Sequence, residues 1–411
     1  MIVEYKHRNR SLALDMLRGI AILLVLGCHY VVAPSESGWL QPLASTWTRI
    51  GWAGVDLFFV LSGFLVSGLI FAEFQQRKTV DVKRFIIRRG FKIWPPYFVF
   101  LGFVALWLGW KAHGNISAVW ADLWPNFFHV QNYFHTPRIH TWSLAVEEHF
   151  YLAIAIIFFI ALRSRRTDGF FRRLPRTLML LIASLAALRH VEYLFYGPEN
   201  VNLYATHLRF DGLVVGTLLA YWTYFEPEKI ARLRRRPLVL LVVGASLAAP
   251  TLICNPEGSV WTFGIGLTGV YIGFGLILLG WINLERTYPL AQKCFSSHAA
   301  AFLGQVGFYS YSIYLWHIDF ARTPIQKIAS MASGHVPASI LWVGATVIYV
   351  IAAVVMGSTL SRLFEIPSLA MRDRLFPKIK IPATKNGPED CSAEQSQQAV
   401  NLKTHLSGRP V

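Results

Sequence analysis

Charge is scarce in this chain. Of its 411 residues only 15% are Asp, Glu, Lys or Arg, where a soluble domain of similar size carries about 25%. Acidic residues are the scarcer half, 23 against 39 Lys and Arg, which leaves a formal net charge of +16. The shortage excludes an ordinary water-facing surface, because hydrocarbon is the solvent that penalises ionised groups. The surplus of positive charge does not describe a nucleic-acid surface either. Lys and Arg fall in short runs between apolar stretches, not along one amphipathic face beside aromatics. Cysteine is equally sparse. Cys28, Cys254, Cys294 and Cys391 are scattered without metal-ligand spacing or a disulfide framework, so no metal site is expected. A cleavable leader is not expected either. Lys6, Arg8 and Arg10 precede an apolar run as in a signal peptide, but residues 31–35 lack a small-x-small cleavage pattern. The first helix is expected to be retained.

What the chain has is apolar length: 54% hydrophobic and 14% aromatic residues. A bilayer span takes about 20 largely apolar residues. Candidate spans are 12–33, 52–74, 94–110, 144–162, 177–195, 207–225, 238–253, 261–282, 301–320 and 338–360, the last running on toward Leu375. Trp39, Trp47, Trp52, Trp120 and Trp124 suit an interfacial aromatic belt. Alternate loops differ sharply in charge. One set carries Arg77, Lys78, Lys83, Arg84, Arg88, Arg89 and Lys92, then Arg163, Arg165, Arg166, Arg172, Arg173 and Arg176, then Lys229 and Arg232 to Arg236. The other offers little beyond Arg49, Lys111, Arg138, Arg322 and Lys327. The positive-inside rule assigns the first set and the N-terminus to the cytoplasm, and an even number of spans returns the C-terminus there. The expected fold is an all-α, polytopic transmembrane bundle of about ten spans. One membrane-embedded domain covers 11–375, and a polar tail over 376–411 is expected to be disordered.

Within such a bundle the informative residues are the ionisable ones. The first span holds Asp15, Arg18 and His29. At about 100° per residue Arg18 and His29 share a face, separated by about 16 Å along the axis. The bland reading is a bundle-facing stripe that hydrogen-bonds its neighbours, with Arg18 snorkelling. In the fourth span Ser143, Glu147 and Tyr151 recur every four residues, so Glu147 or the adjacent Glu148 is expected to face the interior. A histidine and a carboxylate meeting near the outer leaflet would make a base with an orienting partner; a plain helix–helix hydrogen bond is the alternative. Ser310, Tyr314 and His317 line one face of the ninth span, Arg209 and Asp211 open the sixth, and Asp56 opens the second. Arg84, Arg88, Arg89 and Lys92 stand directly before the third. Spaced by turns of helix, they suit a polyanion, since Arg forks match phosphate oxygens; every basic loop also marks topology.

These motifs resemble those of a known family. The run from Leu14 to Ile22 leading to His29-Tyr30 is similar to the opening motif of the acyltransferase-3 family, and Gly54 to Gly63 to its second. Arg88-Arg89-Gly90-Phe91-Lys92-Ile93-Trp94-Pro95 resembles the third. Trp142 to Tyr151, Tyr311 to His317, and Glu365-Ile366-Pro367 resemble later ones, in order over Ser11 to Leu375. The resemblance implies a membrane O-acyltransferase that moves an acyl group, often acetyl, from acyl-CoA to a hydroxyl of an extracytoplasmic glycan or glycolipid, in a bacterial inner membrane. It maps the family's arginine-to-histidine motif onto Arg18 and His29, the latter catalytic, and its paired-arginine motif onto Arg89 and Lys92; with the residue reading above, Glu147 joins His29 and Arg18 as a catalytic candidate and Arg88 joins the donor-binding cluster. Lys92 stands where the family motif has a second Arg, and keeps the charge without the fork. Acceptor-side candidates are Glu148, Ser143, Arg209, Asp211, Tyr314 and His317. No bound cofactor and no nucleic acid are implied, and the chain resembles the stand-alone type without a soluble hydrolase-like domain. The residues by themselves also suit a transporter or flippase, which places charges inside spans in the same way.

Overall fold

The computed structural model describes residues 11–29, 40–163, 167–254 and 258–377. Lys6, Arg8, Arg10, Trp39, Arg165, Arg166 and all but the first two residues of the tail expected over 376–411 lie outside them. Every regular element among the described residues is helical, and a lone bridge between Ser333 and Val336 is the sole strand-like contact. In chain order the helices begin with α1 (Leu12–Cys28), α2 (Leu40–Ile50), α3 (Ala53–Arg77), α4 (Val82–Lys111), α5 (Ile116–Phe127) and α6 (Trp142–Arg163). They continue with α7 (Thr167–Tyr196), α8 (Thr206–Arg209), α9 (Asp211–Phe225), α10 (Pro227–Arg234), α11 (Pro237–Cys254) and α12 (Leu267–Thr287). The last are α13 (Pro289–Phe295), α14 (His298–Phe308), α15 (Ser310–Trp316), α16 (Thr323–Ala332), α17 (Ala338–Leu360) and α18 (Ile366–Leu375).

Seven helical stretches among the described residues are long and apolar enough to cross a bilayer: Leu40–Arg77, Val82–Lys111, Ile139–Arg163, Gly169–Tyr196, Pro237–Cys254, Thr262–Thr287 and Ala338–Leu375. They coincide with seven of the ten expected spans, and the last does run on to Leu375. The other three expected spans are short or broken. α1 has 17 residues, α9 has 15, and the ninth expected span is divided at Tyr309 into α14 and α15. All three pack against other helices, with Leu26, Leu213 and Leu315 completely enclosed. By contrast only 17% of the most apolar stretch of Gly169–Tyr196 is covered by the rest of the protein, so its Leu180 and Leu194 present an apolar face outward.

Small residues let the inner helices touch. α3 lies on α9 and α1 on α14. A Cβ on Gly63 would strike the carbonyl of Leu213, one on Gly216 that of Val60, and one on Gly307 that of Asp15. Without a hydrophobic drive between helices in lipid, such backbone approach is what supplies packing. α4 carries an interior pair, Pro95 and Pro96. Pro95 has no N–H for the carbonyl of Phe91, four residues back, and the Ser368 hydroxyl of α18 donates to that oxygen at 2.6 Å. The Tyr311 hydroxyl donates to the next-but-one carbonyl, Ile93, at 2.8 Å. α15 and α18 are thereby fastened to the middle of α4.

Candidate active site

A cavity of about 880 Å³ enters the bundle at its basic end. Arg84, Arg88, Arg89 and Lys92 of α4, Arg18 of α1 and Arg372 of α18 line it. Asp81 caps the start of α4, accepting from the backbone N–H of Arg84 at 3.0 Å. The basic residues are therefore helical, at the spacing expected. Arg89 lies against aromatic faces, 5.8 Å from the Tyr151 ring centre and 5.9 Å from that of Phe85. Arg88 is held differently. It pairs with Asp373 at 3.0 Å and donates to the carbonyl of Phe376, while Arg372 grips the same carboxylate with two nitrogens. Arg18 pairs with Asp15 at 3.2 Å.

Deeper in, the cavity is lined by Ser62, Glu147, Tyr151 and Glu365, and it ends against Ser143 and Tyr314. Tyr151 donates to Glu147 at 3.1 Å, which commits its single proton, so Ser62 donates to the Tyr151 oxygen at 2.8 Å. Tyr314 likewise donates to the carbonyl of His140, and Ser143 then donates to the Tyr314 oxygen, 2.8 Å away. Glu365 closes a π-helical turn, Ser361–Glu365, and accepts from Ser312 at 2.9 Å and Ser361 at 2.8 Å.

Beyond Tyr314 three imidazoles meet. His317 opens a second π-helical segment, His317–Arg322, a deformation that recurs at functional sites. Its ring lies edge-on to His29, centres 5.0 Å apart, and 5.8 Å from His140. The Nε2 of His317 is 3.3 Å from the Nδ1 of His29, which is also 3.1 Å from the carbonyl of Val25. His29 is not turned out into lipid. It stands half-buried against His317, which is only 1% exposed.

The expected meeting of His29 with the acidic pair of α6 does not occur. Ser143 is already level with Tyr314, so Glu147, one turn further along α6, points back into the cavity toward Tyr151. Glu148 accepts from Trp94 at 3.1 Å, and its other oxygen is buried without a hydrogen bond. The imidazole's partner is another imidazole.

Arg209 and Asp211 lie in two interior ion pairs and not on the cavity. Arg209 bonds Asp56 at 2.6 Å with its guanidinium 5.3 Å from the Trp142 ring centre. Asp211 is gripped at 2.7 and 2.8 Å by Arg189, which sequence reading passed over. Arg189 is completely buried and also reaches the carbonyls of Leu208, Phe263 and Gly264. A π-helical turn, Thr262–Gly266, presents the last two. A buried guanidinium is tolerable only when its donors are satisfied in this way. The signal was available, since an Arg in the middle of the expected span 177–195 is costly unless paired. His140 and Arg372 were also passed over. Neither lies in an apolar run, and each joins the site through contacts distant in sequence.

Fold and site together define a polytopic membrane protein with a cation-rimmed cavity and, next to its Tyr314, a histidine pair. The chain belongs to the acyltransferase-3 family: the family model described as an acyltransferase domain matches residues 11–362. Among curated proteins it is 27% identical over 340 residues to the peptidoglycan O-acetyltransferase OatA of Listeria monocytogenes, covering 77% of this chain and 50% of that one. It is 25% identical over 361 residues to YrhL of Bacillus subtilis, provisionally named a peptidoglycan O-acetyltransferase, covering 82% and 53% respectively. A provisionally named O-acetyltransferase of Staphylococcus aureus is 27% identical over 339 residues, covering 76% and 51%. The chain thus spans about half the length of these relatives. No solved structure matches it.

Proposed function

We propose that this chain is an O-acyltransferase, acetyl being the favoured group, that takes its acyl group from cytoplasmic acyl-CoA and delivers it to a hydroxyl of a carbohydrate or glycolipid outside the cytoplasm. The reading places the basic end of the bundle, with both termini, at the cytoplasmic face of a bacterial inner membrane, in keeping with the positive-inside rule. The observation that carries it is the cavity. Arginine and lysine line it together with Ser62, Glu147, Tyr151 and Tyr314, and the Tyr314 ring lies 5.9 Å from that of His317, the partner of His29.

Arg88, Arg89 and Lys92 would hold the donor's phosphates by charge-assisted hydrogen bonds. Arg18, about 16 Å from His29 along α1, falls on the donor's path and not beside the reacting carbonyl. An extended thiol-bearing arm would run inward past Glu147 and Tyr151. His29 would remove the acceptor's hydroxyl proton as the oxygen attacks the thioester carbonyl; the C–S bond breaks and the thiolate takes the proton. Imidazole suits this task near neutral pH. Acceptors of the peptidoglycan type fit the relatives' names.

The test is acyl transfer by purified protein in lipid nanodiscs with labelled acetyl-CoA and a glycan acceptor, comparing wild type with His29→Ala. Label on the glycan matched by free CoA, and lost in the variant, supports the reading. Solute movement without CoA release would overturn it in favour of a transporter. Unchanged transfer by the variant would remove His29 from the chemistry.

A further inference from the structure

The polar contacts around His29 fix where its proton sits. The Nδ1 of His317 is 2.7 Å from the carbonyl oxygen of Tyr314. A carbonyl only accepts, so that nitrogen carries the hydrogen, and a neutral imidazole has no second one. Nε2 of His317 is therefore a bare acceptor. Nδ1 of His29 faces two acceptors, this nitrogen at 3.3 Å and the carbonyl of Val25 at 3.1 Å, so it must be the donor to both. The reverse arrangement, with a doubly protonated His317 donating to His29, would leave a bare Nδ1 facing the lone pairs of the Val25 oxygen.

We infer that His317 is the positioning residue for His29, accepting its Nδ1–H so that Nε2 is left unprotonated for the substrate. The inference rests on the acyl-transfer reading above and deepens it. Nε2 of His29 has no hydrogen-bond partner among the described residues. It is the nitrogen at which the acceptor's hydroxyl proton would arrive. Once it does, the positive charge spreads over a ring whose Nδ1–H already points at two acceptors, and nothing need reorient. Such preorganisation is how fixed dipoles stabilise developing charge.

The fold over-determines the ring of His317. α15 gives way to the π-helical segment at this residue, the His140 ring packs against it, and Tyr314, whose carbonyl holds Nδ1, is tied to His140 and Ser143. His140 in turn donates from Nε2 to the carbonyl of Leu315 at 3.4 Å. Such constraint suits a group that must present one nitrogen in one direction.

The test has two arms on the full chain in nanodiscs. The first is ¹⁵N spectroscopy of histidine-labelled protein, with His29→Gln used to assign the His29 signals. A protonated Nδ1 and bare Nε2 on His29 are expected; an Nε2–H tautomer would overturn the inference. The second compares His317→Leu with His317→Gln. Leucine offers no acceptor, and should lower kcat about 10²-fold with the KM for acetyl-CoA unchanged. The glutamine side-chain oxygen can accept from Nδ1–H and should restore most of the loss. Equal damage by both variants, each correctly folded, would contradict the positioning role. The spectroscopic arm reads the tautomer without turnover, so it stands even if the acyl-transfer reading fails.

Discussion

The basic cavity and the histidine cluster are built in opposite ways. At the basic end, cations from α1, α4 and α18 surround a cavity of about 880 Å³ that is roomy enough to hold water and a large polyanion. At the far end the His317 ring lies 5.0 Å from that of His29 and 5.8 Å from that of His140, His29 and His317 bind each other, and all three bind backbone carbonyls. The first region attracts by charge and is forgiving in detail, because a point charge can be shifted or replaced. The second works by orientation, and two acceptors on Nδ1 of His29 decide which nitrogen is free. On the proposed acyl-transfer reading, binding and chemistry fall in these two separate regions, and mutations in them should fail in different ways.

The largest break is expected at the far end. His29→Ala should lower kcat by about 10²–10⁴-fold, the range of general base catalysis, while the dissociation constant for acyl-CoA, measured by calorimetry, stays within a factor of two. A matching loss of donor binding would erase the distinction between the ends. Next in size is a brace that serves neither. Arg189→Leu strands Asp211 as a buried charge and should cost about 3–5 kcal/mol, read as a drop in the thermal unfolding temperature in detergent. Stability equal to wild type would mean that water reaches the pair.

At the basic end, Arg88→Ala combined with Arg89→Ala should raise the KM for acetyl-CoA roughly tenfold to a hundredfold, at about 1.5–3 kcal/mol for hydrogen bonds between charged groups. The kcat should change little, and the wild-type KM should itself rise with salt. A fall in kcat alone would assign these arginines to structure. The smallest change sharpens the comparison. Asp373 occupies Arg88 and Arg372 with an internal carboxylate, so a donor phosphate must compete with it. Asp373→Asn should lower the KM for acetyl-CoA by a few-fold, as expected for an exposed pair worth up to about 1 kcal/mol. An unchanged or higher KM would show that Asp373 positions the arginines and does not compete.

Much of this was legible in the chain. Arg18 and His29, eleven residues apart on one helical face, announced a polar stripe through the first helix, and the turn-spaced cluster from Arg84 to Lys92 announced a cationic rim. His317 was legible as one of three polar residues, with Ser310 and Tyr314, on one face of the ninth expected span. What could not be read was which side chain would meet the imidazole. Glu147 and His317 both pointed inward at about the right depth, and the choice rested on a few ångströms of helix offset. The π-helical turn beginning at His317 shifts the register at that residue, and periodicity arguments assume a register that does not shift. Similarly, α1, α9 and the α14–α15 pair carried an apolar pattern like that of full spans, yet they are shorter helices.

The amino-acid sequence alone determined the class of solvent, the helical architecture, the charged end and the apolar face of each helix, because these follow from local composition and a fixed period. Only the tertiary structure decided that Asp373 sits on Arg88, that Arg189 holds Asp211, and that His29 leans on His317. Each of those is a contact between groups on different helices, 285, 22 and 288 residues apart. Such a contact depends on how the helices dock, and docking is set by the sum of many small packing terms that no single segment contains.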